Sequence, residues 1–307
     1  MRRAFAKALC AAAEKDPDVM FLTGDMGFQV FDEFIAKFSR RYVNVGIAEA
    51  QLVSMASGLA KEGFRPVIYS IASFMTARPF EQIRVCVAYP DLPVLIVGAG
   101  GGYAYSSSGV THHAGDDLAL MSLLPGMTVV APCDPAELAL LLPQLMTLDG
   151  PAYMRIGMFG EPEVPAAEPP VLGKARLLAQ GEKVAVLTTG DLAAAAREAV
   201  EELHKEGIFP LLYHFHTVKP LDTAALESIS VKARAMIVLE ESSPVGGLAA
   251  AIANWLAAGG CKIGFNRSGP PDLFLCGNPS RATLAKRFGY DKRGIMDSCR
   301  RAWQQAD

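Results

Sequence analysis

Short apolar segments alternate with segments of helical spacing along most of the chain, and this alternation restricts the fold more than any other feature. In the first half of the chain the apolar segments occupy residues 19–23, 42–45, 67–69, 93–97, 127–131 and 152–156. Predicted helices occupy residues 4–13, 34–38, 48–61, 79–88, 116–124 and 134–146. Strands that alternate with helices at this spacing indicate a parallel, doubly wound sheet.

A proline-rich segment at residues 161–170 interrupts the alternation. Its sequence, Glu-Pro-Glu-Val-Pro-Ala-Ala-Glu-Pro-Pro, is incompatible with a helix interior or a central strand. Beyond it, predicted strands at 183–189, 209–215 and 233–239 alternate with predicted helices at 192–205 and 247–258. Since 307 residues also exceed the usual size of one core, we predict two doubly wound α/β domains: a larger one at 1–160, a linker at 161–170 and a smaller one at 171–307.

Charge and composition exclude several classes of function. The net charge is -3 and no run of Lys or Arg stands out, so we expect no nucleic-acid partner. No apolar stretch has the length of a membrane span, and Lys7 interrupts the one N-terminal segment that resembles a signal peptide. The six cysteines form no Cys-x-x-Cys pair, so we expect free thiols in a cytoplasmic protein.

Glu49 is the most informative single residue, because an acidic side chain opens a predicted helix that is apolar on nearly every face. Such a helix is normally buried. Glu49 is then either an ordinary exposed residue at a helix start or a buried carboxyl. Burial favours the protonated form of a carboxyl group, which would allow Glu49 to share a proton with a ligand nitrogen.

A long loop rich in glycine and serine spans residues 98–115. It does not match a dinucleotide-binding motif, because the third glycine is misplaced and no helix follows directly. The loop ends near His112 and His113, which are either structural or part of a site. Adjacent histidines in extended chain point in opposite directions, and no other cluster offers ligands, so we predict no metal site in this chain.

Two further residues have a structural and a functional interpretation. Phe74, predicted to lie on a loop after a strand, either packs in the core or stacks on a flat heteroaromatic ligand. Arg155 lies between apolar residues at a strand end, where a charge requires an anion. That anion is either an internal carboxylate or a phosphate or carboxylate of the substrate.

The order and spacing of these segments closely resemble the pyrimidine-binding domain of transketolases followed by their C-terminal domain. The matching segments are Gly24-Asp25, Gly46-Ile47-Ala48-Glu49, Gly58-Leu59-Ala60, Phe74 with Arg78, Glu81-Gln82-Ile83-Arg84, Gly109-Val110-Thr111-His112-His113, Pro125-Gly126, Ala131-Pro132-Cys133-Asp134 and Tyr153-Met154-Arg155. The resemblance covers nearly the whole chain. It implies a thiamine diphosphate enzyme, a carboligase that transfers a two-carbon ketol or acyl unit from a ketose or 2-oxo acid to an aldehyde.

The resemblance also implies roles for individual residues. Glu49 would hydrogen-bond the aminopyrimidine ring of thiamine diphosphate and favour its imino form, which activates the thiazolium ring. The resemblance also assigns cofactor binding to Phe74 (by stacking), Ile71, Arg78 and Asp25. It assigns substrate binding to His112 (also catalytic), His113, Ser108 and Arg155 (an anion clamp).

A missing motif implies a partner. In this superfamily the diphosphate-binding domain carries Gly-Asp-Gly and a downstream Asn that complete a Mg²⁺ or Ca²⁺ site. This chain has no Gly-Asp-Gly, since Met26 follows Gly24-Asp25 and Leu192 follows Gly190-Asp191. The chain therefore resembles the C-terminal half of a split transketolase, whose partner subunit would hold the diphosphate and the metal, and the family implies an α2β2 heterotetramer.

The substrate is less well defined by the resemblance. Ser108 stands where sugar-phosphate transketolases usually carry an Asp, and their further phosphate-contacting His would align near Gly100. A sugar phosphate is therefore not implied. The alternatives are the β-subunit of a 2-oxoacid dehydrogenase E1 component, which shares the two-domain layout, and a silent scaffold subunit, which would not need Glu49, Phe74 and His112.

Overall fold

Two sheets, each covered by helices on both faces, form the part of the chain that the computed structural model describes, residues 1–158, 160–259 and 261–306. The first sheet has seven strands and the second has five. The predicted α/β class, with two doubly wound domains, is confirmed. The predicted domain ranges also include Phe159, Gly260 and Asp307, which lie outside the described residues.

The first domain follows the predicted alternation closely. Its helices are α1 (Arg2–Lys15), α2 (Asp32–Lys37), α3 (Glu49–Lys61), α4 (Ala72–Ala77), α5 (Phe80–Gln82), α6 (Asp117–Ser122) and α7 (Pro135–Leu145). Its strands are β1 (Val19–Thr23), β2 (Tyr42–Asn44), β3 (Arg65–Ile71), β4 (Leu95–Ala99), β5 (Thr128–Val130) and β6 (Ala152–Ile156). Short 3₁₀ turns lie at Ser39–Arg41 and Ser106–Ser108, and a π-helical segment lies at Ile83–Ala88.

The second domain repeats the arrangement on a smaller scale. Its strands are β7 (Arg176–Ala179), β8 (Lys183–Thr188), β9 (Leu211–His214), β10 (Thr217–Lys219), β11 (Ala233–Leu239) and β12 (Gly264–Ser268). Its helices are α8 (Leu192–Lys205), α9 (Thr223–Lys232), α10 (Leu248–Gly259), α11 (Arg281–Arg287) and α12 (Lys292–Gln305). No helix within the described ranges is both long and apolar enough to cross a membrane.

Strand order places the candidate residues on one edge of the first sheet. The order is β10-β5-β6-β4-β3-β1-β2, and the strands from β5 to β2 are parallel. The central strands are buried along their whole length, which explains their continuous apolar sequences. Because parallel strands end at the same edge, the segments after β1, β2, β3 and β4 come together there, where open α/β sheets bind ligands.

Strand β10 belongs by sequence to the second domain but completes the sheet of the first. It pairs antiparallel with β5, with Thr217 opposite Val130 and Lys219 opposite Val129. The backbone N–H of Ala131 donates to the carbonyl oxygen of His216 at 2.7 Å next to this pair. Backbone hydrogen bonds in the seven-stranded sheet therefore connect the second domain to the first.

Three local predictions need correction. Phe74 lies in α4 and not on a loop, because β3 runs on to Ile71 and a helix begins at the next residue. The predicted helix at 79–88 is divided into α5 and the π-helical segment. Helix α3 is not buried on every side, since Gln51 and Ser54 face solvent while Leu52 and its neighbours face the sheet.

Candidate functional site

Glu49 begins α3 at the carboxyl edge of the first sheet, and its side chain is buried. Gly46 precedes the helix with φ +75°, a left-handed conformation that glycine adopts without strain. Glu49 is only 5% exposed, and both of its carboxylate oxygens lie 3.1 Å from Nη1 of Arg78. Of the two interpretations of Glu49, the structure therefore supports the buried carboxyl.

Asp25 and Asn44 fix the backbone that leads to Glu49. The side-chain oxygen of Asn44 accepts hydrogen bonds from the backbone N–H groups of Asp25 and Gly46, both at 2.9 Å. Nδ2 of Asn44 donates to Oδ1 of Asp25 at 3.1 Å. Asp25 has φ 55°, a conformation that costs energy for a residue with a side chain unless the surroundings hold it. Asn44 was not singled out from the sequence, although it lies two residues before Gly46.

Phe74 and Arg78 lie one helical turn apart, and Arg78 contacts Glu49. The guanidinium carbon of Arg78 stands 3.8 Å from the centroid of the Phe74 ring, which is cation–π geometry. Ile71 is buried at the end of β3, directly before the helix that carries Phe74. The structure thus brings a ring face, a buried carboxylate and a flat cation together. We call the carboxylate and the ring the Glu49–Phe74 site.

His112 approaches the Glu49–Phe74 site from the long loop. Its ring centroid lies 5.0 Å from that of Phe74 in an edge-to-face arrangement. Nδ1 lies 2.9 Å from the hydroxyl oxygen of Thr111. Burial lowers the pKa of His112 below its usual value, and the nearby charges of Arg78 and His113 lower it further. His112 is therefore a neutral imidazole at neutral pH, able to donate or accept a hydrogen bond.

His113 and Ser108 lie on the same loop but not beside Phe74. Nε2 of His113 lies 3.1 Å from the carbonyl oxygen of Ser106, and its ring makes an edge contact with Tyr103. Ser108 is exposed in a 3₁₀ turn. His112 and His113 thus contact different partners. The roles of Ser108 and His113 in substrate binding stay predictions.

The guanidinium of Arg155 is paired with a carboxylate of this chain. Nε and Nη2 of its buried guanidinium contact the carboxylate of Asp117, which also accepts a hydrogen bond of 2.6 Å from the hydroxyl of Tyr153. Its remaining donors reach the carbonyl oxygens of Ala114 and Glu241, both at 3.2 Å. Binding of a substrate anion would require Arg155 to leave these contacts, so that role stays a prediction.

A buried polar cluster at the junction of the domains was missed from the sequence. The side chains of Cys133, Glu137 and His214 place potential metal-binding atoms within 4.8 Å of one another. However, Oε1 of Glu137 accepts from Arg176 at 2.7 Å, while Oε2 accepts from the backbone of Cys133 at 2.6 Å and lies 3.0 Å from Nε2 of His214. The arginine already neutralises the carboxylate, so we interpret this cluster as a polar contact between domains.

The two domains correspond to two domain families. The transketolase pyrimidine-binding domain model matches residues 1–157, and the transketolase C-terminal domain model matches residues 173–295. The chain therefore belongs to the transketolase family.

Two of the similar proteins are themselves named as transketolase subunits. The chain is 34% identical over 276 residues to the 6-deoxy-6-sulfo-D-fructose transketolase subunit SqwH of Clostridium sp. (strain MSTE9), covering 89% of this chain and 85% of that protein. It is 31% identical to a subunit of the apulose-4-phosphate transketolase of Phocaeicola vulgatus, covering 96% and 94%. It is also 34% identical to the 1-deoxy-D-xylulose-5-phosphate synthase of Chlorobium phaeovibrioides, but spans only 47% of that protein.

A solved structure gives the same assignment. The structure described as "Split gene transketolase, inactive beta4 tetramer" superposes with a TM-score of 0.88 at 31% identity, covering 100% of this chain and 98% of that one. The predicted resemblance to the C-terminal half of a split transketolase is confirmed. These relatives do not favour the alternative of a 2-oxoacid dehydrogenase subunit.

Proposed function

We propose that this chain is the pyrimidine-binding subunit of a split thiamine diphosphate enzyme. The enzyme transfers a two-carbon unit from a ketose or 2-oxo acid to an aldehyde. The observation that carries the proposal is the Glu49–Phe74 site, in which Arg78 contacts both a carboxylate only 5% exposed and an aromatic ring, and the ring also contacts a neutral histidine. When bound, thiamine diphosphate would supply the carbanion chemistry that no protein side chain provides.

The residues present fit the pyrimidine half of this cofactor. An aminopyrimidine needs a ring to stack on and a carboxyl group to exchange a proton with a weakly basic nitrogen. Phe74 offers the first and Glu49 the second. The flat guanidinium of Arg78, a planar group with N–H donors, contacts both residues, which supports this assignment. Asn44 and Asp25 hold the backbone before Glu49 in position.

His112 is suited to act on substrate oxygens. If the hydroxyl of Thr111 donates to Nδ1, the imidazole proton resides on Nε2, which is then the donor available to a substrate. A neutral imidazole that donates a hydrogen bond polarises a carbonyl oxygen without adding a full charge to the site. We assign to His112 the binding and polarisation of the donor or acceptor oxygen.

The proposal requires a partner subunit with the Gly-Asp-Gly motif, which would hold the diphosphate and its Mg²⁺ or Ca²⁺ ion. Two observations support a partner: the sequence of this chain has no Gly-Asp-Gly, and the solved relative that contains only beta chains is described as inactive. We propose an α2β2 assembly in which the active site forms at the interface between the two kinds of chain.

The direct test is a calorimetric titration of thiamine diphosphate with Mg²⁺, performed on this chain alone and on a mixture with a Gly-Asp-Gly subunit encoded next to it. We expect weak or no binding by the chain alone, and both tight binding and turnover in the mixture. Glu49→Ala with the partner present should abolish turnover, whereas a scaffold subunit would lose nothing. Turnover by this chain alone would refute the split arrangement.

A further inference from the structure

Arg78 makes the two contacts that a bound pyrimidine would need. Its guanidinium lies 3.8 Å from the centroid of the Phe74 ring, and Nη1 lies 3.1 Å from each oxygen of Glu49. A guanidinium is planar and carries N–H donors in its plane, as an aminopyrimidine does. A pyrimidine bound to the same ring and the same carboxylate would therefore compete with the guanidinium of Arg78.

Glu49 and Arg78 differ sharply in how far their side chains are buried. The side chain of Glu49 is 6% exposed, whereas that of Arg78 is 49% exposed. A buried carboxylate without a partner is costly, so Glu49 benefits from any cation or donor within reach. Arg78 lies at the end of α4 and has free solvent on one side, so its side chain can turn outward while Glu49 stays in place.

We propose that Arg78 is a resident substitute for the cofactor pyrimidine, occupying the Glu49–Phe74 site until the cofactor displaces it. This inference rests on the proposed function, adds a regulatory step to it, and differs from the expectation from the family resemblance that Arg78 itself binds the cofactor. Arg78 keeps the buried carboxylate paired in the chain without cofactor, and its departure is part of the free energy of cofactor binding. The residue thereby opposes occupation of the site by pyrimidines that lack the diphosphate contacts on the partner subunit.

The inference is tested on the full chain alone, with 4-amino-5-hydroxymethyl-2-methylpyrimidine as the probe and saturation-transfer NMR as the measurement. Removing a stacked and ion-paired competitor should raise the affinity for this pyrimidine about tenfold in Arg78→Ala. Arg78→Lys, which keeps the charge but loses the planar group, should fall between Arg78→Ala and the unaltered chain. Arg84→Ala is the matched control, because Arg84 is an exposed arginine six residues further on, and it should leave the affinity unchanged.

The outcomes separate this inference from the proposed function. Binding that Arg78→Ala strengthens, and that a second substitution of Phe74→Ala removes, supports both. Equal or weaker binding by Arg78→Ala, with binding by the unaltered chain still dependent on Phe74, overturns the role of Arg78 but leaves the site intact. Binding that Phe74→Ala leaves unchanged, both in the unaltered chain and in Arg78→Ala, overturns both. Circular dichroism of each variant verifies that the α/β fold is retained.

Discussion

His216, whose ring centroid lies 6.2 Å from that of His214 in the polar cluster between the domains, should make the protein sensitive to mild acid. Its side chain is fully buried, and burial lowers its pKa to about 4 from 6.5, with Glu137 opposing the shift and His214 reinforcing it. The pKa of His216 is lower in the folded chain. As the pH falls from about 6.5 to about 4, His216 is therefore protonated in the unfolded chain but remains neutral in the folded chain. Folding stability is therefore lost over that interval.

The size of the effect follows from the shift. Linkage between a folded-state pKa of about 4 and an unfolded-state pKa of about 6.5 lowers the free energy of unfolding by about 2 kcal/mol between pH 7 and pH 5. Glu137 does not contribute in this interval, because its pKa lies well below the usual range: burial would raise it, but the neighbouring His214 outweighs burial. Its protonation should destabilise the fold only in stronger acid.

The perturbation is His216→Asn, in which the amide retains a polar group near Nδ1, the atom that lies 2.9 Å from the hydroxyl of Thr217. We expect urea denaturation at pH 7, 6 and 5 to show a loss of stability that is smaller by about 2 kcal/mol in the variant than in the unaltered chain. His204→Asn is the control, since His204 is only half-buried on α8, and it should lose as much as the unaltered chain. An equal loss in His216→Asn would refute the assignment of the acid response to this residue.

Three further predictions concern Glu49, Ser108 and the buried ion pair between Asp117 and Arg155. Glu49→Gln, assayed with the partner and excess thiamine diphosphate, should lower kcat at least about 100-fold because an amide cannot exchange the proton, and activity within about twofold of the unaltered enzyme would contradict that role. Ser108→Asp should change the ratio of kcat/KM between two donor substrates more than the Kd for thiamine diphosphate, whereas an equal loss in both would argue against its placement beside the substrate. Asp117→Asn should lower the free energy of unfolding by about 3–5 kcal/mol, measured in urea, because the buried charge of Arg155 loses its partner; Asp149→Asn, at a fully exposed carboxylate, should leave stability unchanged.

Periodicity was sufficient to predict the regular elements where each one buries a face locally. The predicted strands at 19–23 and 152–156 and the predicted helix at 192–205 coincide with β1, β6 and α8, because continuous apolar runs and amphipathic spacing reflect contacts made by each segment itself. Short elements escaped prediction: β10 has only three residues, and its place in the sheet depends on a partner strand about ninety positions earlier. The elements β7, β12, α9 and α11 were also not predicted, and neither was α12, although this helix has fourteen residues and one buried face.

The candidate site was predictable only in part. The apolar sequence of α3 left the burial of Glu49 as one of two interpretations, and the position of His112 near Phe74 followed from the family resemblance. The pairing of Glu49 with Arg78 did not, because two charges twenty-nine positions apart have many potential partners in a sequence. Arg155 shows the same limit: its sequence context indicated an anion without specifying whether the anion is internal or bound.

Strand β10 has a mechanical consequence. A segment of the second domain is hydrogen-bonded into the sheet of the first, so swinging the two domains apart would mean tearing an edge strand from its neighbour. The pair should therefore move and melt as a single cooperative block. If the proposed partner subunit completes the site, access for small molecules then depends on its docking and on rotation of surface side chains, and not on separation of the two domains.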